Sequence, residues 1–463
     1  MFILSHSHCA DTPVRLIQVP PAPGAIRYWN AQVAVVAYFS EKELERITRA
    51  GQLLYEAEDK LPVLARTAWP PELATRFFAA GARELPRPEY IQVDPEPAFA
   101  AVAAARKLVN GSSPVHRWLT RLADTVEDTA LLLSRLGSAE ILEPCRRLYG
   151  YPGKELADGK ATALELATRL DGLLGAFRDP ATLAGVRPKF TADQVKARLD
   201  QELPKYFGAD PPRVEVVAAL SAKATAGKNI IKLRANAVFS DLDTTQLLQH
   251  EALVHIATGK NGSRQQRFPI LGEAHPGNVR TQEGLAVFAE FLSGALDPQR
   301  LKRLADRVLA IQMALDGADF LQLYDYFLQV SENEYEAFEN ARRVVRGGLV
   351  TGGAPLTKDV VYLQGLLEVH SFLRAAVQAG DPSLARLLFV GKFDLADLDA
   401  MRLLRDEGLL EEPTYMPPWA TDLRFLTSYL AYSVFLNEIN LGSVLNRYAL
   451  LFGPGEGPAA SSG

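Results

Sequence analysis

The segment Gln-His-Glu-Ala-Leu-Val-His, residues 249–255, carries the strongest structural signal in the chain. Two histidines with a glutamate beside the first are the groups by which a helix holds a zinc ion and supplies a base to its bound water. The spacing is HExxxH, not the more familiar HExxH. On an ideal α-helix, side chains four residues apart differ in direction by about 40°, whereas those five apart differ by about 140°. We therefore predict one wider, π-type turn that directs His250 and His255 to a shared ion.

A second motif, Thr-Gln-Glu-Gly-Leu-Ala at residues 281–286, follows after a loop that contains Gly and Pro. Glu283 opens a predicted helix and offers the third protein ligand that a catalytic zinc requires. Glu290 lies on the same helical face within about 20°, so it is an alternative ligand or a partner of a ligand. The residues around both carboxylates are apolar, and a carboxylate in such surroundings needs a partner. We prefer Glu283 as the ligand.

Strand-like patterns stand directly before the first motif. Residues 213–220 and 229–240 are rich in β-branched side chains and partly alternate between apolar and polar. This order places an extended segment beside the metal site, where an edge strand could pair with the backbone of a peptide.

Three local signals predict helix boundaries near the motif. Thr191 with Gln194, and Asp243 with Gln246, have the spacing of helix-starting capping residues. Gly259 is a candidate for the residue that ends the motif helix.

Most of the remaining chain has helical periodicity and is rich in Ala, Leu and Arg. The sequence therefore predicts an α+β fold that is mainly α-helical and has a small sheet. We expect a helical N-terminal region at residues 1–185, a catalytic domain at 186–452 and a disordered tail at 453–463. A connector that contains Pro and Gly, residues 179–188, marks the first boundary.

Composition limits the classes of partner. The 463 residues carry a net charge of -5, which gives no broad basic surface for nucleic acid. Two cysteines, Cys9 and Cys145, provide no disulfide framework, and no basic leader or long apolar run suggests a signal peptide or a membrane span. We expect a cytoplasmic protein that binds neither nucleic acid nor membrane.

The two motifs, followed by Arg-Gly-Gly at residues 346–348 and TKDVVYL at residues 357–363, resemble the QEGLA-motif family. Its characterised eukaryotic members are microtubule-associated tyrosine carboxypeptidases. The resemblance covers approximately residues 190–450. It implies a gluzincin-like metallopeptidase core and the removal of a C-terminal aromatic residue, Tyr or Phe, from a peptide or protein.

The resemblance also implies roles for individual residues. His250, His255 and Glu283 would be ligands of Zn²⁺, and Glu251 would be the catalytic carboxylate. The residues inside the motif, Ala252-Leu253-Val254, lack the Gly and Thr of the eukaryotic members. Tubulin is therefore not expected as the substrate.

A carboxypeptidase must hold the free carboxylate of its substrate, for which Arg or Lys is best suited. Four residues near the later family-like segments are candidates: Arg342, Arg343, Arg346 and Lys358. We favour Arg346 and Lys358. Tyr362, one helical turn after Lys358, is a candidate donor to the oxyanion that forms during hydrolysis.

Two alternatives remain open from the sequence. The chain could be a catalytically degenerate family member that acts as a binding or regulatory module. It could also be a zinc endopeptidase, which would not need the free carboxylate of the substrate. We interpret His370 as a core residue. His275, in the loop before the second motif, is a weaker candidate for the cleft.

Overall fold

The computed structural model describes residues 38–448, apart from residues 157, 158, 160, 176–188, 219, 221, 222, 332 and 437. It also describes the antiparallel strand pair Arg15–Leu16 and Ala34–Val35. The connector predicted at 179–188 and the tail predicted at 453–463 lie outside these residues. The described part is mainly helical with small sheets, which confirms the predicted α+β class.

Helices form a layer at the N-terminal side of the chain. They span Glu41–Glu58, Val63–Arg66, Glu72–Ala79, Glu96–Leu108, Pro114–Ser134, Leu142–Tyr149 and Ala163–Gly175, with a 3-10 turn at Ala139–Ile141. The helices Val63–Arg66 and Glu72–Ala79 form in a Pro-rich stretch because prolines at 62, 70 and 71 precede them, where proline is tolerated.

A three-stranded sheet precedes the motif helix. Strand Ile230–Arg234 lies in the centre, with Arg213–Val217 parallel on one side and Ala224–Gly227 antiparallel on the other. A separate pair joins Phe190–Thr191 to Val238–Phe239. Two strand segments were predicted from the pattern, whereas Ala224–Gly227 was not. It is an edge strand, and it contacts the motif helix.

The motif helix runs from Asp241 to Ser263 through three consecutive segments: Asp241–Gln246, the π-helical Leu247–Ile256 and Ala257–Ser263. Ser240 caps its start, and Asp243 is the returning partner of that capping box, so the prediction that Asp243 itself caps the helix is wrong. The prediction of an end at Gly259 is also wrong, because the helix continues to Ser263. Thr191 and Gln194 form the predicted capping box of helix Ala192–Glu202, which Pro204–Phe207 follows.

Helices again dominate the rest of the chain. They span Val279–Leu292, Pro298–Leu315, Phe320–Val330, Glu334–Val345, Val361–Gln378, Leu384–Leu387, Leu398–Asp406, Pro418–Thr421, Arg424–Leu436 and Leu441–Arg447, with 3-10 turns at Pro269–Gly272, Thr357–Val360 and Leu395–Asp397. No helix in the described ranges is long and apolar enough to cross a membrane.

Two hydrophobic cores hold these elements. The larger core runs from Phe39 to Leu430 and joins the N-terminal helices to those that follow Val279. The smaller core lies between the sheet, helix Ala192–Glu202 and one face of the motif helix, around Leu233 and Leu253. The motif helix thus packs on both cores, since Val254 belongs to the larger one. The predicted domain boundary at residue 186 stays a prediction.

Candidate metal centre

The π-helical segment brings the two histidines of the motif to the same side of the helix. The rings of His250 and His255 have their centroids 4.7 Å apart and are inclined by 83°. A π turn holds one more residue than an α turn, so side chains five apart can face the same point. The predicted wide turn is confirmed, and the HExxxH spacing is compatible with the binding of one metal ion by both histidines.

Glu283 completes a triangle with the two rings. Its Oε2 atom lies 3.5 Å from Nε2 of His250 and 3.4 Å from Nε2 of His255. Two ligands that each lie about 2.0–2.1 Å from a tetrahedral zinc are separated by about 3.3–3.4 Å. The two distances from Glu283 therefore match the separation expected of neighbouring ligands around one zinc ion.

Nearby charged groups shift the pKa values of Glu283 and His250. Burial opposes the charge on Glu283, but Lys358 and the two histidines lower the pKa of its carboxyl well below the usual range. Burial likewise opposes protonation of His250, whereas Glu283 and Glu290 raise its pKa well above the usual value. The carboxylates thus favour a positive charge at this point, and a metal ion would replace the proton there.

Glu251 lies beside this triangle. One donor atom each of His250, Glu251 and His255 falls within a set whose members are at most 4.8 Å apart. Glu251 is partly exposed, in contrast to buried His250. Its carboxylate is therefore close enough to act on a water molecule at the metal position or to be a ligand itself, and its role as the catalytic carboxylate stays a prediction.

Glu290 holds the far side of the His250 ring. Its Oε1 atom lies 2.6 Å from Nδ1 of His250, and Gln246 donates to the same oxygen at 3.2 Å. Arg300 donates to both carboxylate oxygens of Glu290 at 3.0 Å. Burial would raise the pKa of Glu290, but Arg300 and His250 together lower it to about 2. Glu290 is therefore a charged partner that orients His250 and leaves its Nε2 for a metal.

The glycine of the second motif sets how closely two helices approach. A Cβ atom at Gly284 would lie 2.2 Å from the backbone carbonyl of Gly365, which is an impossible contact. Helix Val279–Leu292 can therefore rest on helix Val361–Gln378, backbone against backbone. This contact places Lys358, just before the second helix, with its Nζ atom 3.5 Å from Oε1 of Glu283.

A group of arginines forms one wall of the same cleft, and we call Arg307, Arg342, Arg343 and Arg346 the cationic wall. Arg343 donates to both oxygens of buried Asp359, at 2.7 and 3.1 Å. Arg342 pairs with Glu339.

Two members of the cationic wall lack a close carboxylate partner. Arg307 lies 3.8 Å from Asp359, a carboxylate that it shares with Arg343. Among the described residues, Arg346 has no carboxylate within 4 Å, and its Nε atom is buried without a hydrogen-bond partner. Burial and the neighbouring Arg343 lower the pKa of both Arg307 and Arg346 to about 10. The wall therefore has unused capacity to bind an anion.

Tyr362 lies close to two cations that line the cleft. The Arg307 guanidinium stands 5.2 Å from its ring centroid and the Lys358 ammonium 5.3 Å. The tyrosine lines the cleft and is only 9% exposed, so its ring is held in place by charge as well as by packing.

The cleft that contains these groups has a volume of about 910 Å³. Edge strand Ala224–Gly227 also lines it, and Lys228 at the following turn pairs with Glu273 at 2.6 Å. Among the described residues, only one edge of that strand is paired with another strand, and the prediction that the strand pairs with the backbone of a peptide stays a prediction.

The structure brings His250, Glu251, His255, Glu283, Arg346, Lys358 and Tyr362 to this one cleft. Their roles stay predictions. Sequence reasoning missed Arg300 and Arg307, although arginines at positions 300, 303 and 307 recur on one face of a predicted helix.

The two remaining histidines considered from the sequence do not line the cleft. Burial lowers the pKa of His275 to about 3, and its Nδ1 accepts a hydrogen bond from the Gly277 N–H. His370 packs against Phe288 and Tyr429, which fits its interpretation as a core residue.

A family model described as microtubule-associated tyrosine carboxypeptidase matches residues 75–438. The chain belongs to this family. The match confirms the resemblance suggested by the two motifs and begins well before residue 190, so most of the N-terminal helical layer is also part of the family pattern. Membership gives the expected class of activity, a peptidase of the carboxypeptidase type.

Further comparisons add little to this assignment. None of the curated proteins with which the chain was compared matches it. A solved structure titled as Pyrococcus furiosus carboxypeptidase in an apo-Mg form is 12% identical, covers 86% of this chain and 99% of its own, and has a TM-score of 0.38. That score is too low to establish a shared fold.

Proposed function

We propose that the protein is a zinc-dependent carboxypeptidase with a gluzincin-like core that removes a C-terminal Tyr or Phe from a peptide or protein. One observation carries the proposal. Oε2 of Glu283 lies 3.5 and 3.4 Å from the Nε2 atoms of His250 and His255, which is the spacing of ligands around one zinc ion. Family membership supports the peptidase class and the preference for tyrosine.

His250, His255 and Glu283 would hold the ion. Bound zinc acidifies its water and polarises a substrate carbonyl. Glu251, beside the ligands and open to the cleft, accepts the proton of that water and passes it to the leaving amine. Because Glu290 is already charged and paired with Arg300, it is better suited to orient His250 than to exchange protons.

Arg346 is the candidate best placed to bind the α-carboxylate of the substrate. The Nε atoms of Arg342 and Arg346 are both buried without a hydrogen bond, but Arg342 and Arg343 are paired with carboxylates. Arg346 lines the cleft and has no carboxylate partner among the described residues. Lys358 faces Glu283, but an ammonium group has three donors and can reach a second anion. Both residues therefore stay in the proposal.

Tyr362 is the proposed donor to the oxyanion. Its ring is buried and contacts both Arg307 and Lys358, so we expect the reaction to require little rearrangement of this side chain. The free edge of strand Ala224–Gly227 is proposed to hold the substrate backbone in an extended conformation. We retain the prediction that tubulin is not the partner, because the chain's net charge is -5 and its motif lacks the Gly and Thr of the eukaryotic members.

The test is mass spectrometry of products from peptides that differ only in their last residue, with the zinc-loaded protein. We expect loss of one C-terminal Tyr or Phe, and a decrease of about 10²–10⁴-fold in rate for Glu251→Gln with the zinc content unchanged. Full activity of Glu251→Gln, or a protein that binds no transition metal, would refute the proposal.

The same peptides with an amidated C-terminus separate the alternatives. A carboxypeptidase loses activity on them because Arg346 and Lys358 have no carboxylate to bind. Cleavage of the amidated peptides at internal bonds would identify an endopeptidase. Stoichiometric zinc with no cleavage of any peptide would identify a binding or regulatory module.

A further inference from the structure

The turn Arg346-Gly347-Gly348 is held by residues of the N-terminal helical region. The Gly347 N–H donates a hydrogen bond of 2.7 Å to the Tyr90 hydroxyl, and the Gly347 carbonyl accepts one of 2.9 Å from the Gly137 N–H. Tyr90 and Gly347 are 257 positions apart in the chain. Both backbone polar groups of Gly347 therefore depend on a distant part of the sequence.

Gly347 also lies too close to this region for a side chain. Its φ is +82°, in the left-handed region that favours glycine. An added Cβ would lie 2.8 Å from Cγ2 of Thr67 and 3.3 Å from Cδ2 of Leu136. The turn after Arg346 is therefore in direct contact with the N-terminal helical region, and its position depends on that contact.

Trp69 holds Tyr90 in place. Its Nε1–H donates a hydrogen bond of 2.6 Å to the same hydroxyl oxygen. The Trp69 ring is buried and packs edge-on against Phe338, with the ring centroids 6.2 Å apart. Phe338 belongs to helix Glu334–Val345, which ends just before Arg346. The N-terminal region thus contacts both this helix and the turn that follows it.

We propose that Tyr90 is a positioning residue that holds Arg346 in place to bind the carboxylate of the substrate. The inference rests on the proposed role of Arg346. The peptide groups on both sides of this residue are held: its own N–H donates to the Arg342 carbonyl at 2.9 Å, and the next N–H, that of Gly347, donates to Tyr90. The direction in which the Arg346 side chain leaves the backbone is thereby set. Tyr90 itself does not line the cleft, so it acts through Arg346 and not on the substrate.

Peptide binding to the zinc-loaded Glu251→Gln variant tests the inference without turnover. Calorimetry compares a peptide that ends in Tyr with the same peptide amidated at its C-terminus. The parent should prefer the free acid. Adding Tyr90→Phe should reduce that preference about 10-fold, because the Gly347 N–H loses its acceptor and the turn is no longer held. Tyr429→Phe is the matched control: its hydroxyl lies 3.3 Å from Nε2 of His370, outside the cleft, and its loss should leave the preference unchanged.

Kinetics and a double variant separate positioning from a general loss of stability. In the otherwise wild-type enzyme, Tyr90→Phe should raise KM about 10-fold and change kcat by less than about twofold, since the candidate metal ligands lie on other helices. In an Arg346→Gln background, Tyr90→Phe should change peptide binding by less than about twofold, because the side chain that it positions is already gone. Gly347→Ala is a second variant that should give the same loss of acid preference, because its methyl group would displace the turn from Thr67.

The outcomes distinguish this inference from the proposed function. An unchanged acid preference in Tyr90→Phe and Gly347→Ala, an equal loss in Tyr429→Phe, or full additivity with Arg346→Gln would each overturn the inference alone. A parent protein without any preference for the free acid would overturn both the role of Arg346 and this inference. A wild type that prefers the free acid but releases no C-terminal residue would refute the proposed reaction, whereas the loss of preference in Tyr90→Phe would still support the inference.

Discussion

We call His250, His255 and Glu283, with their partners Glu290 and Arg300, the metal side of the cleft. The metal side and the cationic wall differ in how completely their charges are paired. On the metal side, each buried charge has a close partner: His250 contacts Glu290, and Glu290 is held by Arg300 through two hydrogen bonds. On the cationic wall, three of the four arginines share two carboxylates, and Arg346 has no carboxylate partner among the described residues and a buried Nε without a hydrogen bond. Complete pairing fixes geometry, whereas a surplus of donors leaves capacity for a ligand. The difference indicates which side is prepared before substrate arrives and which side is completed by it.

If the metal side is rigid because its charges are paired, breaking the Glu290 pair should have the largest effect. Glu290→Gln leaves Arg300 buried without its carboxylate, so the free energy of unfolding should decrease by about 3–5 kcal/mol. Zinc affinity should decrease about 10–100-fold because His250 loses its orienting partner. Chemical denaturation and competition with a chromogenic chelator measure the two effects.

The double change Glu290→Gln with Arg300→Met is the control for that variant. It removes the unpaired cation and should restore much of the stability, while zinc affinity stays low. A single variant that unfolds like the wild type would show that the Glu290–Arg300 pair does not stabilise the site.

The metal side was largely predictable from sequence, and the reason is local. The extra residue of HExxxH required a π turn, and that turn is present at Leu247–Ile256. The Glu283 position followed from a motif within one helix. Helical spacing also placed Glu290 on the same face as Glu283. That Arg300 is the partner of Glu290 depends on how helix Pro298–Leu315 packs on helix Val279–Leu292, which no local sequence pattern encodes.

The wall and the sheet edge were less predictable because they depend on tertiary packing. Arg342, Arg343, Arg346 and Lys358 looked equivalent in the sequence, and only the positions of Glu339 and Asp359 distinguish paired from unpaired ones. Strand Ala224–Gly227 was missed because its small residues have weak strand preference and its pairing partner fixes it.

Asp359 is the carboxylate that supports the cationic wall, which makes the wall sensitive to acid. Burial would raise the pKa of Asp359, but Arg343 and Arg307 hold it well below its usual range. A depressed carboxyl pKa adds stability above the unfolded-state value of about 3.9, and that stability is lost as the pH falls further. Between pH 5 and pH 2, protonation linked to this one group should lower the free energy of unfolding by roughly 2–3 kcal/mol.

Urea unfolding of wild type and Asp359→Asn across that pH range measures the contribution. The variant should be less stable at pH 7 and should show a weaker decrease toward low pH. Parallel pH profiles for the two proteins would mean that Asp359 does not hold the wall through its charge.

The wall's unpaired arginine should behave differently from the paired charges of the metal side. Arg346→Gln removes a buried donor that has no protein partner, so the free energy of unfolding should stay the same or increase. Loss of a charge-assisted hydrogen bond to the substrate carboxylate should decrease kcat/KM by about 10–100-fold, chiefly through KM. Arg342→Gln is the matched control, since its guanidinium pairs with Glu339 and its loss should reduce stability. Equal stability losses for both variants would contradict the distinction between the two sides.

The smallest predicted effect is that of a substitution at the Gly284–Gly365 contact, which sets the distance between the metal side and Lys358. Gly284 adjoins Glu283 on the metal side and rests on Gly365, in the helix that begins just after Lys358. Gly284→Ala should force the helices apart and reduce the free energy of unfolding by about 1–3 kcal/mol, despite the better helix propensity of alanine. Gly172→Ala is the control, because nothing lies within 4 Å of its added methyl group and it should be stabilised by about 0.5–1 kcal/mol. In Gly284→Ala, zinc affinity should change little, because the contacts of Glu283 with both histidines are kept. The kcat should decrease, because Lys358 and Tyr362 move away together with helix Val361–Gln378. A decrease in zinc affinity as large as that in kcat would show instead that the two sides move as one unit.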